Sequence, residues 1–357
     1  MDYKKQIEIL MQEALNKEAT DIHISVGRPP VLRVNGSLTP LADWEILDAA
    51  KADGLAMSLL TSEQKEKFLA NRDIDLSFSF NDQARFRVNI YRAMGEVSAA
   101  LRFLPAKIRT IEELNLPAVL HRFTLAPQGF FLVVGPSGHG KSTALASMIN
   151  EINHSRQDHI ITIEDPIEYI FEEDKCIVDQ REVGVDVSDF HHGLRAMFRE
   201  DADVVMIGEM RDPETMSTAI TAAETGHLIF STLHTNTASQ TIDRIIDSFP
   251  PHQQSQIRSQ LASALLGVLS RRLLPTLDGG MINAVELLIA NSAVRNLIRE
   301  GKPYQIDMVI ETGSEEGMIS LNRSLADLVR KGKVSMEIAE NYSPNPRELS
   351  MLLASLR

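Results

Sequence analysis

Gly135-Pro136-Ser137-Gly138-His139-Gly140-Lys141-Ser142 opens with one glycine and closes with another, followed directly by a lysine and a hydroxyl. This is a complete Walker A pattern, the sequence of a loop that cradles phosphates. Glycines let the backbone wrap close around an anion, and the freed N–H groups with the positive end of a following helix bind it. Lys141 would then reach the β- and γ-phosphates of ATP, and the Ser142 hydroxyl would ligate Mg²⁺. The candidate nucleotide-binding residues are therefore Gly135, Pro136, Ser137, Gly138, His139, Gly140, Lys141, Ser142 and the adjoining Thr143. The plain alternative is a glycine-rich turn that only joins strand to helix.

A nucleotide held there needs acids for Mg²⁺ and for water. Ile160–Ile163 runs into Glu164-Asp165-Pro166-Ile167-Glu168, and Val204–Ile207 runs into Gly208-Glu209-Met210-Arg211-Asp212. In a doubly wound sheet such strand ends face the ligand. Glu209 is the candidate to orient or deprotonate the attacking water, with a solvated acid at a strand exit as the plainer reading. Among Glu164, Asp165 and Glu168, one or two would act through Mg²⁺-bound water and the rest would cap or pair. Ser142, Glu164 and Glu209 form the candidate metal set. Leu228–Ser231 is flanked by His227 and His234, and His234 is a candidate γ-phosphate contact, against an ordinary exposed histidine.

These residues need a scaffold. Phe130-Phe131-Leu132-Val133-Val134 is a continuous apolar run before the loop, as expected of a strand covered on both faces. After the loop, Leu145, Met148, Ile149 and Ile152 recur at helical spacing. Strands alternating with helices predict a mostly parallel α/β sheet. The N-terminal part reads differently. Residues 3–18 are helical in pattern; Asp21–Ser25 and Val31–Val34 are short strands, the second closed by Asn35-Gly36. A helical segment spans about 45–70, and 73–104 reads as β, with Arg87 on the face opposite Phe86, Val88 and Ile90. The expected division is an α+β domain over 1–104, a linker over 105–115 and an α/β domain over 116–357. Leu261–Leu269 is read as a buried helix.

Bulk composition narrows the classes. The 357 residues are 43% apolar, which suits a chain with a normal core. The net charge is -13, against the basic excess that phosphate neutralisation demands of a nucleic-acid binder. With Cys176 the sole cysteine, neither an intrachain disulfide nor a Cys-rich zinc site is expected. No apolar run approaches the ~18 residues of a membrane span, and the N-terminal segment lacks the apolar core of a secretory signal. A cytoplasmic protein fits.

Several strings coincide with one family. They are the loop at 135–142, Ile161-Thr162-Ile163-Glu164-Asp165-Pro166-Ile167-Glu168, Arg199-Glu200-Asp201, Gly208-Glu209-Met210-Arg211-Asp212, and Thr225-Gly226-His227-Leu228 running on to Thr232-Leu233-His234-Thr235-Asn236. They resemble the Walker A, Asp box, Walker B and His box of the secretion ATPase superfamily, which drives type II secretion and type IV pili. Ser270-Arg271-Arg272-Leu273-Leu274-Pro275 and Ala293-Val294-Arg295-Asn296-Leu297-Ile298-Arg299-Glu300 resemble the pilus-retraction branch. The likeness runs over nearly the whole chain, with Ala93–Val97 less basic than in many members and Ser231 where glycine is common.

The resemblance implies a PAS-like N-terminal domain and a RecA-like P-loop NTPase domain. It implies a homohexameric ATPase whose sites are shared between subunits, with Arg87 and Arg102 delivered from a neighbour. It also implies an inner-membrane pilus platform protein as partner, reached from the cytoplasmic face. Ala293, Val294, Leu297 and Ile298 read as an apolar helical stripe, with Arg295, Asn296, Arg299 and Glu300 outside it. An assembly or secretion motor of the same superfamily, an accessory retraction paralogue, a RecA-like nucleic-acid motor and a non-catalytic ATP-binding scaffold are the alternatives.

Overall fold

The computed structural model describes residues 2–34, 36–80, 84–104 and 107–354. The chain forms two compact units. The first is Met1–Lys107 together with Pro166–Ile170; the second is Ile108–Asp165 with Phe171–Arg357.

The first unit carries α1 (Tyr3–Asn16), β1 (Asp21–Ile24), β2 (Val31–Val34), β3 (Ser37–Pro40), α2 (Ala49–Met57), α3 (Ser62–Asn71), β4 (Asp73–Phe80), β5 (Ala84–Ala93) and β6 (Glu96–Leu104). Among the described residues its strands make an antiparallel sheet in the order β3-β2-β1-β6-β5-β4. The alternation in β5 is real: Phe86, Val88 and Ile90 are fully buried against Leu10 and Met11 of α1, while Arg87 faces the other side. The single helical segment expected over 45–70 is two helices. Thr61 and Gln64 form a capping box that starts α3 afresh, because it satisfies the N-terminal donors a continuous helix would not expose. Asn35, expected in a turn with Gly36, lies outside the described residues.

The second unit carries α4 (His121–Thr124), β7 (Gly129–Val134), α5 (Lys141–Ser155), β8 (His159–Glu164), β9 (Ile177–Glu182), α6 (Phe190–Met197), β10 (Val204–Ile207), α7 (Pro213–Glu224), β11 (Leu228–Leu233), α8 (Ala238–Asp247), α9 (Pro251–Ala264), β12 (Leu265–Pro275), β13 (Met281–Ile289) and α10 (Ser292–Arg299). Short helices follow to the end: α11 (Ile306–Thr312), α12 (Leu321–Arg330), α13 (Met336–Tyr342) and α14 (Pro346–Ala354). The sheet order among the described residues is β13-β12-β7-β11-β10-β8-β9, parallel throughout except for β13 against β12. This is the α/β fold class expected. β7, β10 and β11 are buried along their whole length; β7 and β10 are unbroken apolar runs, while β11 includes Ser231 and Thr232, whose hydroxyls find backbone acceptors.

One expectation is corrected. Within Leu261–Leu269 the helix α9 stops at Ala264 and the chain continues as β12, beside β7. A short apolar run has no period that separates a buried strand from a buried helix. Of the expected linker, residues 105 and 106 lie outside the described residues, while Ile111 and Leu114 are buried in the second unit. No helix among the described residues is long and apolar enough to cross a membrane.

Candidate functional site

The loop between β7 and α5 is shaped by its glycines. Gly135 has φ +142° and Gly140 has φ +76°, both in the region that disfavours a side chain. A Cβ at Gly135 would stand 2.6 Å from the Arg271 carbonyl oxygen. Gly140 precedes α5 and has no side chain with which to cap it, so the helix's first turn presents backbone donors to an anion. These are the features of a cradle that closes around phosphate oxygens.

Lys141 is 8% exposed and folds back over the loop. Its Nζ donates to the carbonyls of Gly135 at 2.9 Å and Pro136 at 3.1 Å. It also lies 3.3 Å from His234 Nδ1, which is 3.3 Å from Ser137 Oγ as well. An ammonium only donates, so Nδ1 accepts and the neutral ring carries its proton on Nε2. That nitrogen faces Glu209 Oε2 at 3.3 Å. Arg211 Nη2 donates to the other oxygen of Glu209. Burial works against ionising Glu209, but Arg211 and His234 outweigh it and hold the carboxyl below its ordinary range. The structure thus joins three strings of the sequence, the Walker A loop, Glu209 and His234, in one hydrogen-bonded run.

Glu164 ends β8 and Glu209 follows β10, the strand that pairs with it in register Ile207 to Ile163. Glu164 is 6% exposed; Thr162 Oγ1 donates to its Oε1 at 2.7 Å and Gln180 Nε2 at 3.2 Å. Ser231 donates to the Ile207 carbonyl at 2.9 Å and Thr232 to that of Gly208 at 2.6 Å, so β11 side chains fix the exit of β10. A glycine at 231 would supply no such bond.

Glu168, Arg87 and Arg102 belong to the first unit. Ser77 Oγ donates to the Ile167 carbonyl at 3.1 Å, holding the 166–170 segment there. Arg87 lies 3.5 Å from Asp75 and 3.9 Å from Glu168. Arg102, 69% exposed, donates through Nε to Asp21 at 2.9 Å. The sheet register sets Arg102 opposite both Asp21 on β1 and Arg87 on β5.

One contributor, Arg271, escaped the sequence reading, while His139 was already among the candidate loop residues. Arg271 on β12 is buried, donating to the Gly140 carbonyl through Nη1 and to Asn283 Oδ1 at 2.5 Å through Nη2. His139 accepts from the Leu273 amide at 2.9 Å, and burial with the nearby Arg272, Lys141 and Arg271 charges holds its pKa down. The available signal was a pair of arginines inside an otherwise apolar run. Arg295 also departs from expectation. It is part-buried, donating to the carbonyls of Ala262, Leu265 and Ala290 at 2.6, 2.8 and 3.0 Å, while Ala293 in the expected apolar stripe is exposed.

A cavity of about 320 Å³ beside Gly140 and Thr143 is lined by Arg109, Asn115, Asn283 and Met281, large enough for part of a nucleotide. Among the described residues no three His, Cys, Asp or Glu side chains are grouped to hold a metal by themselves. Mg²⁺ normally takes one or two protein oxygens and completes its shell with phosphate and water, a demand that a single hydroxyl such as Ser142 and one carboxylate suit.

A family model described as type II/IV secretion system protein matches residues 3–320. The chain is 41% identical over 337 residues to the type IV pilus retractation ATPase PilT of Pseudomonas aeruginosa, covering 94% of this chain and 98% of that one. It is 42% identical over 322 residues to a twitching motility protein of Neisseria gonorrhoeae, covering 90% and 86%. Among solved structures, that of the pilus retraction motor PilT with bound ADP superimposes with a TM-score of 0.90 at 46% identity, covering 97% of this chain and 99% of that one.

Proposed function

The chain belongs to the type II/IV secretion system protein family, and from that premise we propose that it is an ATP-hydrolysing motor that retracts a type IV pilus. The observation that carries the reading is the run Lys141–His234–Glu209 at the mouth of the loop. A lysine, a hydrogen-bonding imidazole and a carboxylate held below its ordinary pKa meet there, which supports a role in binding and hydrolysing a triphosphate.

Lys141 exchanges the carbonyls of Gly135 and Pro136 for the β- and γ-phosphates of ATP, a stronger, charge-assisted pairing. Ser142, with Glu164 and Glu209, would hold Mg²⁺, which would offset phosphate charge. His234 then faces the γ-phosphate. Glu209 orients and takes a proton from the attacking water.

The remaining positive charge comes from a neighbouring copy. Arg87 and Arg102 stand side by side in the first unit, each matched with carboxylates of its own chain. The Arg87 pairs are exposed and of the kind worth roughly 0.2–1 kcal/mol, and Arg102 is itself exposed although its partner Asp21 is largely buried, so a triphosphate can draw both arginines to itself. A contact that always presents one copy's first unit to the next copy's second unit is heterologous and closes into a ring. We take that ring to be a hexamer, bound by contact alone to an inner-membrane platform protein at its cytoplasmic face.

The test is Mg²⁺-dependent ATP turnover against protein concentration, with assembly followed by light scattering. Specific activity that climbs as copies assemble supports shared sites. Full activity in a stable monomer sinks the shared-site motor.

A further inference from the structure

Arg271 lies in β12, which pairs in parallel with β7 directly before the loop, Ser270 opposite Val134. It is 1% exposed. A guanidinium buried this far is costly unless its donors are matched, and both of its terminal nitrogens are. Nη1 donates to the Gly140 carbonyl and Nη2 to Asn283 Oδ1 at 2.5 Å. The Arg271 carbonyl closes on Gly135 from beneath, at the distance that forbids a side chain there. Both ends of the loop therefore rest on one residue.

The Gly140 bond has a specific consequence. Across a trans peptide the carbonyl and the next N–H point in opposite directions. Holding the Gly140 oxygen toward Arg271 turns the Lys141 N–H away from it, into the side of the loop where an anion sits. Glycine makes a flip of that peptide cheap, and a flipped peptide would aim oxygen at the phosphates. The same oxygen accepts the first helical bond, from Ala144 N at 3.1 Å, so its direction also sets the start of α5.

Asn283 extends the contact. It lies opposite Leu273 on β13 and donates through Nδ2 to the Leu114 carbonyl at 2.9 Å. Leu114 is a buried residue of the turn through which the chain enters the second unit.

We propose that Arg271 is a positioning residue that holds the Gly140–Lys141 peptide in its phosphate-binding orientation, and that Asn283 ties this orientation to the entry segment at Leu114. It rests on the reading of the loop as a nucleotide site. Arg271 touches no substrate; it acts through the loop backbone.

ADP binding with Mg²⁺, measured by calorimetry on the full chain, tests it alongside nucleotide-free melting. Arg271→Met fills the space without a donor. It should melt near the parent temperature yet bind ADP about tenfold or more weakly, from loss of a charge-assisted bond, and Arg271→Lys should recover part of the affinity. Asn283→Asp keeps an acceptor for Arg271 but loses the donor to Leu114. It should melt normally and bind ADP several-fold more weakly. Parent-like ADP affinity in Arg271→Met overturns the proposal. If that variant does not fold, parent-like affinity in Asn283→Asp overturns it instead. A parent chain that binds no ADP overturns the nucleotide reading, and this proposal with it.

Discussion

Arg87 and Arg102 stand directly opposite one another across the β5–β6 ladder. Like charges so placed repel and destabilise a sheet. Asp75 and Glu168 offset one, Asp21 the other. The arrangement is a pair of exposed positive charges on one face, each matched by carboxylates of its own chain and suited to an anion that arrives from elsewhere.

Arg102→Ala should leave the fold intact at a loss of about 1–3 kcal/mol, because it takes one partner from Asp21, a largely buried carboxylate that keeps Thr20 and Arg33. Turnover should fall about a thousandfold, the scale of an arginine that stabilises phosphoryl-transfer charge, with ATP still bound. Steady-state turnover and nucleotide titration on the same preparation check this. Undiminished turnover removes Arg102 from the mechanism.

Glu209→Gln should bind ATP and hydrolyse it about a hundredfold or more slowly. Arg211→Ala tests the carboxylate's setting. Arg211 is the first group that lowers the Glu209 pKa against the opposing effect of burial. Without it the pKa rises, so the acidic limb of the kcat profile should move to higher pH. A limb that stays in place means Glu209 is not the group that titrates there.

Gly135→Ala adds a Cβ 2.6 Å from the Arg271 carbonyl at a φ of +142°. Neither backbone can yield without moving β7 or β12. A stability loss of about 1–3 kcal/mol is expected, together with loss of ADP binding. Thermal melting at normal temperature with normal binding would contradict the loop geometry.

Glu286 gives a pH dependence with a definite sign. Burial pushes its carboxyl from an ordinary 4.5 up to about 7, while the Ala238 amide donates to its Oε1 at 2.8 Å. The folded chain thus holds this proton more tightly than the unfolded chain does. Its contribution is fully present below about pH 4.5 and is lost as pH rises through about 7. Glu286→Gln should remove that slope and gain about 1–3 kcal/mol at pH 8 relative to the parent. Denaturant melts across this range decide it; identical slopes refute the assignment.

Arg295→Ala removes donors from the carbonyls of Ala262, Leu265 and Ala290, where α9 gives way to β12. A loss of about 2 kcal/mol is expected. Urea melting of Arg295→Ala beside Arg299→Ala checks it, since among the described residues Arg299 donates within α10, to Asn296. Equal losses would show that the Arg295 bonds are not special.

The cradle, the acids at strand exits and the α/β class were legible because each is written locally. A continuous apolar run becomes a covered strand, a glycine pattern becomes a tight loop, and the acids follow the strands that aim them. The α9–β12 boundary was not legible, since an apolar run of that length suits either structure. Nor was Arg295's role, because helical spacing says which face a residue occupies and not which carbonyls meet it there.

What the sequence by itself determined is the glycine-rich loop and the strands whose ends carry Glu164, Glu209 and His234. Only the tertiary structure decided that Arg271 braces a loop 131 positions away, that Arg87 faces Arg102, and that the 166–170 segment packs with the first unit. Those relations depend on strand order and register between distant segments. Pairing energy there is summed over whole ladders and buried faces, and no local period carries it.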